Sequence, residues 1–126
     1  MDYQVIPVTA ADYRRLAKKR LPRFLFDYID GAAGEEVSMA RNVNELQEIC
    51  LRQRVMRDVG NIKTSTSMLG LDAKLPVVLG PVALAGMYRR RGEAQAARAA
   101  VSSGTPFTTS TMGICSVEEV QQASAG

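Results

Sequence analysis

Histidine and tryptophan are both missing from this chain, and cysteine occurs only twice, at Cys50 and Cys115. Without histidine the commonest general base and a major metal ligand are gone, which argues against zinc or di-iron chemistry and against any metal site. Two cysteines make no disulfide framework and fit a reducing compartment. Aromatics are scarce at 6%, and the 4 Tyr and 3 Phe are not interleaved with the basic residues. With a net charge of only +3, this is not a nucleic-acid footprint. The longest mostly apolar uncharged run, the 14 residues Leu75–Tyr88, is broken by two prolines and two glycines. A spanning helix needs roughly 18 or more apolar residues. The opening stretch MDYQVIPVTAADYRR has no apolar core of signal-peptide type, so the default location is cytoplasmic. Phosphate-binding glycine patterns are lacking too. Gly80 and Gly86 are not followed by Lys-Ser/Thr, and there is no G-x-G-x-x-G.

What is present is a chain of 126 residues, 46% hydrophobic, able in principle to bury one core. Its most informative stretch runs from Leu75 to Glu119. The apolar run Leu75–Leu79 ends at Gly80-Pro81, and Pro106–Thr109 ends at Ser110-Thr111. Between them the spacing predicts an alanine-rich helix over Gly92–Ser103, stopped by Gly104. Alternation of this kind implies parallel strands under helices, with the ligand site in the loops leaving the strands' carboxyl ends. Those loops are Gly80–Tyr88 and Ser110–Cys115.

Elsewhere the pattern is mostly helical. Thr9 with Asp12 forms an acidic capping box opening a helix to about Arg20. Pro22 suits the first turn of a second helix, Arg23–Asp30, which Gly31 stops. Phe24, Leu25, Tyr28 and Ile29 are expected to form its apolar face. A third helix is expected over Glu35–Leu51, with Val37, Ala40, Val43 and Leu46 at three-residue steps. Ile62–Thr66 reads as a short strand outside the main sheet, and Leu69–Asp72 as a turn. Ser116 with Glu119 is a capping box for the last helix.

Several residues could carry chemistry, each with a plainer alternative. Gly80-Pro81-Val82-Ala83 turns sharply, and Ala83 is small enough for a flat ligand to lie against backbone; an ordinary loop would look the same. Ser110 and Thr111 offer hydroxyls that donate and accept, or they merely cap backbone. A Tyr28 phenol could bind a carboxylate while its ring packs on protein; a core tyrosine is the plainer alternative. Arg14, Arg15, Lys18, Lys19, Arg20 and Arg23 crowd the first helix and could meet an anionic membrane surface, or be a solvated face. Arg89–Arg91 is a similar case: the run could approach a phosphate, or simply be exposed.

Four blocks in order and spacing carry a resemblance. They are DYRRLAKKRLPRFLFDYIDGAAGEE, RNVNELQEICLRQRVMRDV, LPVVLGPVALAGMYRRRGEAQAARAA and GTPFTTSTMGICSVEEV. Together they resemble the amino-terminal third of the FMN-dependent α-hydroxy-acid dehydrogenase and oxidase family, its bacterial L-lactate dehydrogenase branch above all. The resemblance implies an α/β fold, a (β/α)8 TIM barrel with FMN at the carboxyl ends of its strands. Residues 1–60 would be a helical segment preceding the barrel, and residues 61–126 its start, with Leu75–Leu79 and Pro106–Thr109 as the first two barrel strands. Tyr28 resembles the tyrosine that binds the substrate carboxylate. Pro81, Val82 and Ala83 resemble the loop whose backbone lies along the flavin, and Ser110 the hydroxyl residue that hydrogen-bonds it. Met112 departs from the aromatic residue frequent in the oxidase branch, so the pocket shape there is open.

The implied chemistry is FMN-dependent oxidation of an L-2-hydroxy acid, L-lactate to pyruvate. A histidine base takes the hydroxyl proton, and the C2 hydrogen leaves as hydride or its carbanion equivalent. The implied partners are that acid, an electron acceptor (quinone, cytochrome or oxygen), further copies of the full-length chain, and the inner membrane as a peripheral surface. No catalytic residue of the family has a counterpart here. Because such a barrel needs about 250 residues, and two strands alone leave open edges, the expectation is a fragment inactive by itself. Two other readings stand beside it: another FMN barrel, such as a type 2 isopentenyl diphosphate isomerase, and a non-catalytic remnant or interaction module. Tyr28 argues against the isomerase, since a carboxylate-binding tyrosine has no obvious role on a diphosphate.

Overall fold

A computed structural model describes residues 6–125; the residues MDYQV, the first of the stretch inspected for a signal peptide, lie outside that range. The chain divides into two compact units, Met1–Met56 and Arg57–Gly126.

In the first unit, α1 (Ala10–Arg20) begins at a complete capping box. The Thr9 hydroxyl accepts from the Asp12 amide, and the Asp12 carboxylate accepts from the Thr9 amide. Helix α2 (Arg23–Asp30) follows with Pro22 as its N-cap and Gly31 as its C-cap. The two helices meet where Phe26 is buried at 5% exposure, with the Lys18 ammonium 5.9 Å from its ring centroid. Arg14 donates in bidentate fashion to Asp30. The expected apolar face of Phe24, Leu25, Tyr28 and Ile29 is carried by α2, and most of it is left uncovered. Phe24, Tyr28 and Ile29 are exposed, because α1 approaches α2 on the side that carries Phe26. Helix α3 spans Val37–Glu48, shorter than the expected Glu35–Leu51. Val37, Val43 and Leu46 on its apolar stripe are exposed, so no packing sustains the ends that the pattern alone suggested.

The second unit opens with a hairpin. Strand β1 (Thr66–Met68) pairs antiparallel with β2 (Leu71–Ala73), with Met68 opposite Leu71. The tight turn uses Leu69 at φ +52° and Gly70 at φ +79°, a pair of left-handed residues that suits a two-residue hairpin. The expected strand Ile62–Thr66 thus lies several residues too early, and Leu71-Asp72 is strand where a turn was expected. Cross-strand pairing outweighed the β-propensity of Ile62–Ser65.

The two expected barrel strands contract to one isolated parallel bridge, Leu79 with Phe107. Leu79 N–H donates to the Pro106 carbonyl at 3.0 Å, and Thr108 N–H donates to the Leu79 carbonyl at 2.9 Å. Pro76 and Pro106 have no N–H to extend the ladder. Helix α4 (Ala85–Tyr88) interrupts the expected loop. Helix α5 (Gly92–Ser103) and α6 (Val117–Ser124) then pack on each other, burying Ala94, Ala97, Ala100 and Val120. Small side chains on α5 permit that close approach. Gly104 closes α5 at φ +66°, and its carbonyl accepts from Lys74 N–H at 2.8 Å, tying the end of the hairpin to the end of the helix.

Candidate functional site

Because the bridge is parallel, both segments run out at the same end, and the loops after Leu79 and after Thr109 leave side by side. Three hydrogen bonds stitch these loops. Leu84 N–H donates to the Met112 carbonyl at 3.0 Å. Gly86 N–H and Ile114 N–H both donate to one oxygen of Glu93, Oε1, at 3.1 and 2.9 Å. Leu84 takes φ +53° to do so, a costly conformation for leucine of the kind that clusters at functional sites. Gly86 has no room for a side chain, since an added Cβ would lie 2.6 Å from Ile114 Cβ.

Beside the stitched loops lies a cavity of about 470 Å³, whose walls include Leu79, Gly80, Val82, Phe107 and Ser110. Val82 and Ser110 line it; Pro81 and Ala83 sit in the same loop without lining it. The Ser110 oxygen accepts from Met112 N–H at 3.1 Å. That uses an acceptor site of the hydroxyl and leaves its proton to donate elsewhere. The N–H groups of Val82 and Ala83 enter no hydrogen bond among the described residues. The unpaired amide of Val82 and a hydroxyl proton on an apolar wall suit a flat heterocycle with polar edges. On this observation the residues present fit a flavin ring. Tyr28 belongs to the first unit, on α2, and is 64% exposed; a core tyrosine on an apolar face is not what it is.

The electrostatics centre on Glu93, which is 2% exposed. Burial pushes its acidity down, but amide donation, from Ile114 first and also from Gly86, wins and holds the carboxyl below its ordinary range. Cys115 moves the other way. Burial and the adjacent Glu93 carboxylate raise its thiol above the usual range, which makes it a poor nucleophile at neutral pH. Sequence reasoning missed Glu93. An acidic residue in a first helical turn is so common, for reasons of the helix dipole, that its pattern carries no special signal.

Among the described residues no group of three or more metal-ligating side chains converges, and no helix is long and apolar enough to cross a membrane. Of the basic residues on α1 and α2, Arg14 pairs with Asp30, Arg15 with Asp12 and Arg23 with Asp27.

A cavity at the shared end of two segments joined by a parallel bridge, beside a helix, is the arrangement expected of an α/β protein. Residues 17–126 match the FMN-dependent dehydrogenase family, and the chain belongs to that family, whose cofactor is FMN. It is 54% identical over 121 residues to an L-lactate dehydrogenase of Caulobacter vibrioides, covering 96% of this chain and 32% of that protein. A mandelate oxidase structure superposes at a TM-score of 0.87 with 33% identity, covering 94% of this chain and 34% of that one. A soluble mutant of the membrane-associated (S)-mandelate dehydrogenase from Pseudomonas putida superposes at 0.82 with 33% identity, covering 89% and 32%. The chain therefore spans about a third of the length of the relatives it matches, and over that third it shares their fold.

Proposed function

We propose that this chain forms part of an FMN-dependent enzyme that oxidises an L-2-hydroxy acid, L-lactate to pyruvate. The observation that carries the reading is the stitched pair of loops beside the cavity, in a chain more similar to an L-lactate dehydrogenase (54% identity) than to mandelate enzymes (33%). Bound FMN supplies the two-electron acceptor of the reaction. This chain's residues bind and orient. The backbone of Pro81, Val82 and Ala83 would lie along the flavin ring, and the Ser110 hydroxyl would hydrogen-bond it. Tyr28 donates its phenol proton to the substrate carboxylate. The proton leaving the substrate hydroxyl needs a base, and no histidine is among these 126 residues. Turnover is therefore assigned to the longer protein, in which the barrel closes.

The electron acceptor is a quinone, a cytochrome or oxygen, and full-length copies associate with one another. Lys18, Lys19 and Arg20, which make no ion pair among the described residues, support attraction to an anionic membrane. Membership of the dehydrogenase family supports this reading over the diphosphate isomerase. Steady-state kinetics test it. Full-length enzyme is expected to turn over L-lactate with a kcat/KM at least about tenfold above that for L-mandelate, and the isolated 126-residue chain with FMN should stay at the no-protein blank. Preference for mandelate would overturn the substrate, and turnover by the isolated chain would overturn the division of labour.

A further inference from the structure

We infer that Glu93 is a positioning residue for FMN: one carboxylate oxygen fixes the spacing of the Gly80–Tyr88 and Ser110–Cys115 loops, so that the Val82–Ala83 backbone and the Ser110 hydroxyl meet the same ring. The inference deepens the flavin reading above and rests on it.

Glu93 is the one charged side chain buried among the described residues, at 2% exposure. Burying a carboxylate is costly unless it is well hydrogen-bonded, and nothing in the packing of α5 asks for one. The rest of that buried face is alanine: Ala94, Ala97 and Ala100. The dipole of α5 could be served equally well by an exposed glutamate. What burial achieves is reach. From the first turn of α5, Oε1 accepts Gly86 N–H from one loop and Ile114 N–H from the other. Oε2 is buried with no hydrogen-bond partner, so the carboxylate is not placed to satisfy itself. The two-loop contact of Oε1 sets its position. The neighbouring features agree. Gly86 admits Ile114 only because it lacks a Cβ, and Leu84 holds a left-handed conformation while bonding Met112. Gly86 lies three residues after Ala83, and Ile114 four after Ser110, so a shift at either amide moves a flavin-facing group.

The test uses full-length holoenzyme with Glu93→Ala, Glu93→Gln and, as a control, Val120→Ala, which opens the α5–α6 contact without touching either loop. Glu93→Ala is expected to raise the Kd for FMN by about tenfold or more, and Glu93→Gln, which keeps one acceptor oxygen, by about threefold. The KM for L-lactate of the FMN-loaded fraction should not change in either variant. Val120→Ala should lose stability and keep its FMN affinity. Native FMN affinity in Glu93→Ala overturns the inference. So does a loss in Val120→Ala equal to that in Glu93→Ala, or Gln as damaging as Ala. If Glu93→Ala does not fold, hydrogen exchange on the Glu93→Gln apoprotein decides. Faster exchange at the Gly86 and Ile114 amides, with the middle of α5 unchanged, supports the clamp; unchanged protection overturns it. That readout needs no flavin. Failure of the flavin reading would appear separately, as a parent enzyme that binds no FMN.

Discussion

In the first unit α1 and α2 meet through Arg14 and Asp30, both solvent-accessible, and through Lys18 lying over Phe26. In the second, α5 and α6 meet through buried alanines and Val120, and the loops through a buried carboxylate. Surface ion pairs are worth little and are screened by salt. A desolvated carboxylate accepting amides is worth more and is shielded from salt. The difference separates two jobs. The first unit carries exposed side chains, Tyr28 among them, with α1 and α2 joined by a solvent-accessible ion pair. The second sets backbone groups at a fixed spacing, which only a buried contact can do well.

The strongest way to break this contrast is at Gly86. Gly86→Val would drive its side chain into Ile114, where even a Cβ lies at 2.6 Å. Overpacking of that kind costs roughly 1–3 kcal/mol, and urea unfolding should show that loss together with weaker FMN binding. A substitution at Phe24, exposed in the first unit, should do neither.

A smaller effect should sharpen the contrast through pH and salt. Glu93 is held below its ordinary range in the folded state, so its contribution is fully present above the unfolded glutamate value of about 4.3. That contribution fades as pH falls through the lower folded value. Asp12, held down by Thr9, and Asp30, held down by Arg14, follow the same sign in the first unit. Salt is expected to distinguish them. Raising ionic strength at neutral pH should loosen the Arg14–Asp30 contact, read by exchange of α2 amides, and leave protection at Gly86 and Ile114 unchanged. Equal salt sensitivity at both places would erase the distinction.

Much of the framework was legible because its signals are local. Gly31 and Gly104 stop helices, Thr9 and Ser116 start them, and the observed bounds Arg23–Asp30 and Gly92–Ser103 coincide with the expected ones. The elements that failed are those whose stability comes from elsewhere in the chain. Helix α4 is only four residues long and depends on Met112, far from it in sequence, and on Glu93 in the helix that follows. The hairpin register depends on pairing across Leu69-Gly70, which β-propensity at Ile62 could not foresee. The candidate site was legible as two loops, and Val82 and Ser110 do line one cavity. The residue that joins the loops was not, because its pattern is that of any acidic helix start.

The most direct test of the whole account is the response of Tyr28→Phe in full-length holoenzyme, with the Kd for FMN and the KM for L-lactate measured on the same preparation. Division of labour between a presenting helix and a flavin wall predicts that KM rises by about tenfold while the Kd for FMN stays at the parent value. A Kd that rises in step with KM would contradict it.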